Sequence, residues 1–489
     1  MKKLSGYAVF AIAFLLIGIF LADSKVAEVA RTTAKSVGSK AIEVVANSAD
    51  IDTRTMVLAE NPEMISRILE GGSFGGDASL AAAQNMFGRT EDAIEDVREK
   101  THVIEVAPRS YLIRMPIVNA VFFETDEGIV LVDTGMGPAG PAILDAIRSV
   151  SDQPIHTIIY THGHVDHAYG TWAIMDAGET PQIIGHELLE ERFNRYIRLR
   201  GSLAKYMSQP EEQLPSSASD LVWPSRYFSD RLELEIGGET FVLQHHKGET
   251  DDQLYVWVPG RGALASADYY QGFLPNAGNG KRYQRHVEEW VVALREMAAL
   301  EPTILLPAHG EAITQPDTIV ENFTVLAEAL QYIINHTIEG LNTGKRKDVI
   351  YGSVQLPEHL ANHPTLNVQY VTPNDISKMV IKRYTGWWDD IPSHWTPASM
   401  EDQGNMLIEL AGGNVPAITS YARKLIGEDI QLASHLTDWL FYARPDNPEV
   451  QQLVLEVYKA RIMHPDTNTM EMLTYLDQMT AARERSRKQ

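Results

Sequence analysis

The segment from residue 161 to 167 reads T-H-G-H-V-D-H and contains His162, His164, Asp166 and His167. The apolar residues just before it, 156–160, predict a buried strand. A sharp turn after a strand can aim several side chains at one point, and imidazole together with carboxylate suits zinc. Because the chain has no cysteine, it can form neither a disulfide nor a thiolate metal site. The segment therefore predicts a metal site built from histidine and carboxylate.

The spacing of these residues resembles the H-x-H-x-D-H motif of the metallo-β-lactamase superfamily. The resemblance implies three further ligands at strand ends, and Glu249, Asp268 and His309 stand at the matching positions. Glu249 lies in G-E-T-D-D, which resembles the superfamily's G-H-T-D-D segment with glutamate in place of histidine. Asp133, in V-D-T-G, matches an early aspartate that supports the geometry of the ligands.

The resemblance also implies how the ligands divide between two zinc ions. His162, His164 and Glu249 would hold the first ion. Asp166, His167 and His309 would hold the second. Asp268 would bridge the two ions, together with a hydroxide. Two metal ions this close act as Lewis acids and generate a nucleophile from water near neutral pH. Two further histidines beside the cluster, His245 and His246, are expected to line its wall.

Glu249 changes the charge that the centre presents to a substrate. The charge of two zinc ions is cancelled formally by the three carboxylates and a hydroxide. A neutral centre attracts an anion less, so an anionic substrate needs cations of the protein nearby. Lys281, Arg282 and Arg285 follow soon after Asp268 and can supply them. A solvated basic turn before a helix is the alternative explanation of these three residues.

These features resemble the alkylsulfatase branch of the superfamily. That branch has a glutamate and a bridging acid at the separation of Glu249 and Asp268. The resemblance implies that Asn276 and Arg282 bind the sulfate group, and that Tyr206, in a Tyr-Met pair after a basic helix, approaches it. Two departures leave the substrate open. Asp268 stands where close alkylsulfatases carry glutamate, and the loop to Arg282 is slightly longer.

The second part of the chain changes character at about residue 315, where strand patterns stop and helical periodicity begins. The segment R-Y-T-G-W-W-D-D-I-P at 383–392 resembles the start of the alkylsulfatase dimerisation domain. Segments at 410–413 and 443–448 keep the order of that domain. The resemblance covers roughly residues 85–480 and implies a homodimer.

The order of elements predicts the fold class. Short strands are expected at 111–117, 120–124, 129–132, 156–160, 241–244, 254–258, 263–267 and 303–306, and helices at 81–100, 141–149, 170–177 and 286–300. This pattern predicts an α/β fold, a metallo-β-lactamase αβ/βα sandwich, followed by an all-α helical dimerisation domain. The expected divisions are a signal or anchor at 1–22, a lead-in at 23–100, the catalytic domain at 101–315 and the helical domain at 316–489.

The N-terminus predicts export. Lys2 and Lys3 precede an apolar run at 7–22, which suits the core of a secretory signal and is short for a bilayer span. No good cleavage site is found, because Phe20 is too large for the position three before a cut after Ala22, so an uncleaved anchor is slightly favoured. Either alternative places the protein in the periplasm or on the inner membrane facing it. The net charge of −23 argues against a nucleic-acid partner.

The leading functional hypothesis is zinc-dependent hydrolysis of alkyl sulfate esters to an alcohol and inorganic sulfate by a metal-activated water. Asp166, Asn276, Arg282 and Tyr206 are its candidate catalytic residues, and residues 190–230 would shape the entrance for the alkyl chain. A second hypothesis is hydrolysis of another ester, such as a phosphodiester or a lactone. A third, a binding or assembly protein without activity, is disfavoured by the intact ligand set.

Overall fold

The computed structural model describes residues 53–61, 63–64, 67–68 and 85–488. The predicted signal or anchor at 1–22 lies outside the described residues, as does most of the predicted lead-in. The chain divides into two compact units, one of residues 72–394 and one of residues 1–71 together with 395–489. Within the described part of the chain, no helix is both long and apolar enough to cross a lipid bilayer.

The strands form two sheets in the first unit. In chain order they are β1 (His102–Ala107), β2 (Ser110–Arg114), β3 (Asn119–Thr125), β4 (Gly128–Val132), β5 (Ile155–Ile159), β6 (Gln182–His186), β7 (Arg226–Phe228), β8 (Arg231–Ile236), β9 (Glu239–His245), β10 (Leu254–Val258), β11 (Ala263–Ala265) and β12 (Ile304–Leu306). One sheet has seven strands in the order β1-β2-β3-β4-β5-β6-β7, and the other has five in the order β12-β11-β10-β9-β8. Strands β4 to β7 pair in parallel, as do β11 and β12.

The helices lie between the strands and after them. In chain order the described helices are α1 (Thr53–Glu60), α2 (Glu91–Glu99), α3 (Gly140–Arg148), α4 (Val165–Ala168), α5 (Thr171–Asp176), α6 (Leu189–Arg198), α7 (Arg200–Met207), α8 (Val287–Ala299), α9 (Pro316–Asn342), α10 (Lys347–Gly352), α11 (Glu358–Ala361), α12 (Pro373–Tyr384), α13 (Met400–Leu410), α14 (Val415–Leu425), α15 (Ile430–Ala443), α16 (Pro448–Met463) and α17 (Thr469–Arg487). Helices α2 to α12 belong to the first unit.

Strand β2 shows why the first unit is a sandwich. Its Leu112 belongs to the same buried cluster as Phe241 of β9, so this face packs on the other sheet. Tyr111 and Ile113 belong instead to a cluster with Ile143 of α3, so the opposite face packs on helices. Side chains alternate between the two faces of a strand, and burial of both faces makes these strands apolar throughout. The predicted αβ/βα sandwich is therefore present.

Two predicted boundaries differ from the structure. The helix expected at 81–100 begins only at Glu91, because the Thr90 side chain accepts a hydrogen bond from the Ala93 amide and caps it there. The compact-unit boundary lies after residue 394, whereas the domain boundary was expected after 315. Helix α9 explains this difference, since its Phe323 packs edge-on against Tyr270, whose ring centroid lies 5.8 Å away in the strand-bearing unit.

The second unit is helical. It contains α1 and helices α13 to α17, whose buried faces form one hydrophobic cluster that includes Val57, Ala422, Leu440, Val454 and Leu476. Helices α13 and α15 approach very closely at Gly404, where a Cβ atom would lie 2.0 Å from the Trp439 carbonyl oxygen. Among the described residues of this unit there is no strand.

Candidate metal centre

The H-x-H-x-D-H segment leaves β5 beside the end of β4, where two parallel strands present their carboxyl ends to the same edge. Asp133, directly after β4, ties the segment down. The Thr161 amide and hydroxyl donate to the two Asp133 carboxylate oxygens, each over 2.7 Å. His164 then precedes the single turn of α4, which carries Asp166 and His167. Sheet order and these hydrogen bonds therefore fix where the segment points.

Hydrogen bonds to the backbone and to Asp133 orient the imidazole rings. Nδ1 of His167 lies 2.8 Å from the Asp133 Oδ2, and Nδ1 of His309 lies 2.6 Å from the Ile117 carbonyl oxygen. Each of these Nδ1 atoms must carry the proton, because both partners are acceptors. The Nε2 atoms of His167 and His309 are therefore left to act as ligands, as expected for a metal site with supporting partners.

The structure brings the predicted ligands into two groups. His162, His164 and Asp268 form one group, and Asp166, His167 and His309 form the other, with the ligand atoms of each group within 4.8 Å of one another. All six are buried or nearly so.

Asp268 lies between the two groups. Its Oδ2 is 3.9 Å from Nε2 of His162, and its Oδ1 is 3.3 Å from Nε2 of His167 and 3.2 Å from Nε2 of His309. One oxygen thus faces each group. This is the placement that a bridging carboxylate requires.

Glu249 lies beside the first group. Its Oε1 is 4.0 Å from Nδ1 of His164 and 2.8 Å from Nη2 of Arg285. Nδ2 of Asn276 donates to the same oxygen over 3.2 Å, and Nε2 of Gln271 donates to Oε2 over 3.2 Å. Arg285, Asn276 and Gln271 thus hold the carboxylate at the centre. Glu249 is not itself a member of the first group of clustered ligand residues.

Backbone strain is concentrated around the centre. Asp133, Ile117 and Ala267 have positive φ angles of 62°, 76° and 48°. Side chains other than glycine adopt this left-handed region at a cost, and such residues cluster at functional sites. Each of the three touches or adjoins a predicted ligand. The fold therefore maintains a strained backbone to place these ligands.

The cluster is suited to metal ions by its unsatisfied atoms and its charges. Nε2 of His167 and Oδ1 of Asp268 are buried, and neither has a hydrogen-bond partner in the described part of the chain. Burial lowers the pKa values of His162 and His164 well below 6.5, which keeps both imidazoles neutral and able to ligate. Four neutral or paired imidazoles and three carboxylates form a donor set for a divalent ion of the zinc type.

The remaining predicted residues are Tyr206, Asn276, Lys281, Arg282 and Arg285, and three of these five line one side of the centre. Asn276 contacts Glu249, as described, and its Oδ1 is buried and unpartnered among the described residues. Nη1 of Arg282 is likewise buried and unpartnered there. Arg285 is 1% exposed and also donates through Nη1 to the Glu249 carbonyl. Tyr206, on α7, is 48% exposed, and no contact in the described chain joins its side chain to the centre.

Residues that the sequence did not single out also reach the site. Nη2 of Arg192, on α6, lies 2.9 Å from Nε2 of His164. Tyr196, one turn later, and Tyr370 are buried and close enough to Asp166 for its charge to contribute to their raised pKa values, of which burial is the main cause. The i, i+4 spacing of Arg192 and Tyr196 was a usable signal. Tyr370 had none, since it follows the strands in an irregular segment.

Of the two histidines expected to line the wall, His245 stacks on a histidine of the other sheet, whereas Nε2 of His246 lies 2.6 Å from Oε2 of Glu296 on α8. The rings of His245, at the end of β9, and His186, at the end of β6, stack with centroids 3.6 Å apart. Nε2 of His245 lies 2.8 Å from the Asp251 carbonyl, and Nε2 of His186 lies 2.7 Å from the Ser229 carbonyl. Both Nε2 atoms therefore carry protons, and the pair joins the ends of β6 and β9.

Two family models match the chain. That of the metallo-beta-lactamase superfamily matches residues 114–309, and that of the alkyl sulfatase dimerisation domain matches residues 347–485. The first spans every predicted ligand and Asp133. The second begins within the helices that pack in the strand-bearing unit and runs almost to the end of the chain.

Curated relatives and solved structures agree with these matches. A linear primary-alkylsulfatase from a Pseudomonas strain is 26% identical over 343 residues, 65% of this chain and 65% of the relative. An (R)-specific secondary-alkylsulfatase from Pseudomonas is 23% identical over 385 residues, 72% of this chain and 58% of the relative. The chain thus spans somewhat less than two thirds of the length of both relatives.

The crystal structure of a stereoselective inverting sec-alkylsulfatase from Pseudomonas superposes with a TM-score of 0.69 at 18% identity, over 87% of this chain and 77% of the other. At that identity the superposition establishes the fold. The fold, the clustered ligands and the two matched domains lead to the same conclusion: the chain belongs to the metallo-β-lactamase superfamily, in its alkylsulfatase branch, and has a metal-binding site.

Proposed function

We propose that this protein is a zinc-dependent alkylsulfatase, which hydrolyses an alkyl sulfate ester to an alcohol and inorganic sulfate. The observation that carries the proposal is the position of Arg282, whose buried Nη1 has no hydrogen-bond partner among the described residues and which lies close enough to Asp166 to feel its charge. Buried polar groups without partners are rare in folded proteins and point to a bound ligand. Guanidinium and amide groups are suited to a sulfate, because they donate several hydrogen bonds to anionic oxygens.

The proposed ligands are those that the fold gathers at its strand ends. They are His162, His164 and Glu249 for one zinc ion, Asp166, His167 and His309 for the other, and Asp268 as the bridge. Bound there, two zinc ions would supply Lewis acidity and lower the pKa of water.

The protein's own groups have separate tasks in this proposal. Arg282 and Asn276 bind and orient the sulfate group, so that the ester lies against the two groups of metal ligands. Arg285 holds the Glu249 carboxylate in place through the 2.8 Å ion pair, which orients it towards the first group of ligands. Asp133 holds His167 in the tautomer that ligates through Nε2. Tyr206 stays a candidate for the outer wall of the sulfate pocket, from its half-exposed position on α7.

The test is sulfate release from dodecyl sulfate at a concentration that does not denature the protein. The purified protein is assayed with zinc, after chelation, and after zinc is restored, with zinc content measured in each state. We expect release that is lost on chelation and recovered with zinc. Metal-replete protein that releases no sulfate would refute the proposal, and phosphodiester and lactone substrates tested beside it would then decide between the other esters.

Two further proposals concern the whole chain. The dimerisation domain supports a homodimer, and light scattering should then give twice the chain mass of 54.5 kDa. The lysines and apolar run at residues 2–22 support export to the periplasm or anchoring on the inner membrane. Cell fractionation with and without residues 1–22 tests this, because a chain that is exported equally well without them would contradict it.

A further inference from the structure

Helix α6 presents two arginines to the metal centre from one face. Arg192 and Arg195 are three residues apart, so they lie on the same side of the helix. Arg192 is 9% exposed, its Nη2 is 2.9 Å from Nε2 of His164, and its buried Nε has no hydrogen-bond partner in the described chain. The guanidinium of Arg195 lies farther out, 5.8 Å from the ring centroid of Tyr283. With Arg282, these two arginines form a cationic wall that extends outward from the ligands.

Of the proposed sulfate-binding residues, Arg282 lies near these two arginines, and its chain neighbour Tyr283 carries the ring that Arg195 covers. Arg282 and Arg192 are close enough to Arg195 for their charges, after burial, to lower its pKa. Burial is the main cause that lowers the pKa values of Arg282 and Arg285, and the charge of Arg192 lowers both as well. These neighbouring guanidinium groups all carry positive charge and therefore repel one another. The arrangement is therefore unfavourable unless anions lie between the guanidinium groups.

The nearby carboxylates of the protein do not supply those anions. Glu249 pairs with Arg285, and Asp251 pairs with His286 at 2.7 Å. Asp166 and Asp268 face the two groups of metal ligands. Asp252 adjoins Arg192 at Gly163, but its Oδ2 accepts from the Gly163 amide over 2.7 Å and forms no ion pair with the guanidinium. In the described chain, no carboxylate lies within ion-pairing distance of the three remaining guanidinium groups, those of Arg192, Arg195 and Arg282. A buried cation without a partner is strongly destabilising. Arg192 and the Nη1 atom of Arg282 are buried, so these groups, with the partly buried Arg195 beside them, point to anions from outside.

One alkyl sulfate ester carries a single negative charge, which Arg282 with Asn276 can bind. Neither arginine of α6 then has an ion pair among the described residues. We propose that the substrate carries a second anionic group, such as a carboxylate, sulfonate or second sulfate, which Arg192 and Arg195 bind at the entrance. This inference rests on the proposed function and narrows it to dianionic sulfate esters. The entrance expected from residues 190–230 is then cationic on its α6 side instead of apolar.

Arg192 also has a packing role, which decides the choice of variant. A Cβ atom at Gly163 would lie 2.8 Å from Cγ of Arg192, so the arginine stem packs over the metal-binding segment. Its replacement would disturb ligands as well as charge. Arg195 is only partly buried, and Arg198, on the same helix, is exposed. Arg195→Gln is therefore the test variant, and Arg198→Gln is its control with the same change in net charge.

The experiment measures binding without turnover. The probes are propane-1-sulfonate and propane-1,3-disulfonate, with longer α,ω-disulfonates, because a C–S bond is not hydrolysed as an ester. Dissociation constants for the zinc-loaded protein are compared at one ionic strength by calorimetry. We expect a disulfonate to bind about tenfold more tightly than the matching monosulfonate, as for one added charged hydrogen-bonding pair. Arg195→Gln should abolish this ratio, Arg195→Lys should keep part of it, and Arg198→Gln should leave it intact.

Equal affinities for the two probes, or a ratio that falls equally in both glutamine variants, would overturn the inference. A turnover arm compares kcat/KM for hexyl sulfate and hexane-1,6-diyl disulfate in the same proteins. Its outcome separates the two proposals. Hydrolysis of both esters without a preference that depends on Arg195 rejects the second anionic group alone. Absence of hydrolysis, with the binding ratio intact, rejects the sulfatase proposal alone.

Discussion

Arg282 and Asp133 show two ways in which a single residue can serve the centre. Arg282 adjoins the ligands with an unpartnered Nη1 and contacts no ligand atom in the described chain. Asp133 is buried behind the ligands and bonds to His167. Loss of Arg282 should weaken turnover of the substrate, and loss of Asp133 should weaken binding of the metal. The two roles can therefore be separated by measuring turnover and zinc content together.

Arg282→Ala should lower kcat/KM for dodecyl sulfate by about a hundredfold, because a preorganised donor to the reacting group is lost. Zinc content should stay unchanged. Activity assays and elemental analysis of the same preparations measure both. Lys281→Ala, which removes the neighbouring cation, is the matched control. Equal loss of zinc and activity in Arg282→Ala would contradict the sulfate-binding role.

Asp133→Asn should weaken zinc binding about 10- to 100-fold, as is typical when a partner that orients a ligating histidine is changed. Asparagine tolerates the positive φ of 62° at this position, so the backbone should be kept. Competition with a coloured chelator measures the affinity. The control is Asp126→Asn, at an exposed carboxylate. Unchanged zinc affinity would show that His167 needs no support from Asp133.

The sequence identified the residues that the structure gathers into two groups, but only part of the wall around them. Each of His162, Glu249 and His309 stands next to a strand end, and strand ends can be identified from a short stretch of chain. Arg192 and Tyr370 reach the site through packing of α6 and of an irregular segment far along the chain. Such contacts depend on tertiary structure, which periodicity alone does not determine.

At the scale of elements, the ends of strands from two sheets meet beside the centre. The ends of the eight predicted strands lie within a few residues of the observed ends, because apolar runs bounded by turns identify them. Strands β1, β6, β7 and β8 were not predicted. The start of α2 was wrong, since Thr90 caps the helix later than the apolar pattern suggested. The unit boundary differed because α9 to α12 are as helical as the segments after them. Only their packing on α8 and Tyr270 assigns them to the first unit.

The stacked pair of His186 and His245 predicts a pH dependence of stability. Burial lowers the pKa of His245 to about 4, against an ordinary value of 6.5. Between these values the unfolded chain binds a proton that the folded chain does not. The free energy of unfolding is therefore complete above about pH 6.5 and falls as the pH drops towards 4.

The measurement is the Tm at pH 7.5, 5.5 and 4.5. His245→Gln keeps a donor for the Asp251 carbonyl and has no charge to gain, so its Tm should fall less across this range. His102→Gln, at an exposed histidine, should follow the unchanged protein. If the Tm values of both variants fell in parallel with that of the unchanged protein, the stacked pair would not be the source of the pH dependence.

At the scale of the whole molecule, every proposed ligand lies in the first unit. The second unit carries most of the matched dimerisation domain. Its integrity should therefore be separable from metal binding. The sequence predicted that this part of the chain is helical, because helical periodicity replaces the strand patterns after about residue 315. The sequence did not indicate the close approach at Gly404. A glycine at a tight helix–helix contact cannot be told from any other helical glycine by its sequence alone.

Gly404→Ala should disrupt the second unit while leaving zinc content intact. The added Cβ would meet the Trp439 carbonyl at 2.0 Å and the Ala443 Cβ at 2.7 Å, which must push α13 and α15 apart. Light scattering should show a larger monomer fraction. Gly427→Ala, where nothing lies within 4 Å of the added atom, is the control. Zinc loss that accompanies the dissociation would contradict the independence of the two functions.

The cationic wall of Arg192, Arg195 and Arg282 also bears on how a catalytic cycle ends. Hydrolysis would turn a singly charged ester group into inorganic sulfate, which is doubly charged at neutral pH. The same guanidinium groups should hold this product more tightly than the ester from which it came. We therefore expect dissociation of sulfate to limit the turnover rate, and the reaction to slow as sulfate accumulates in the surrounding solution. An enzyme of this kind would be inhibited by its own product, and would work fastest where sulfate is scarce.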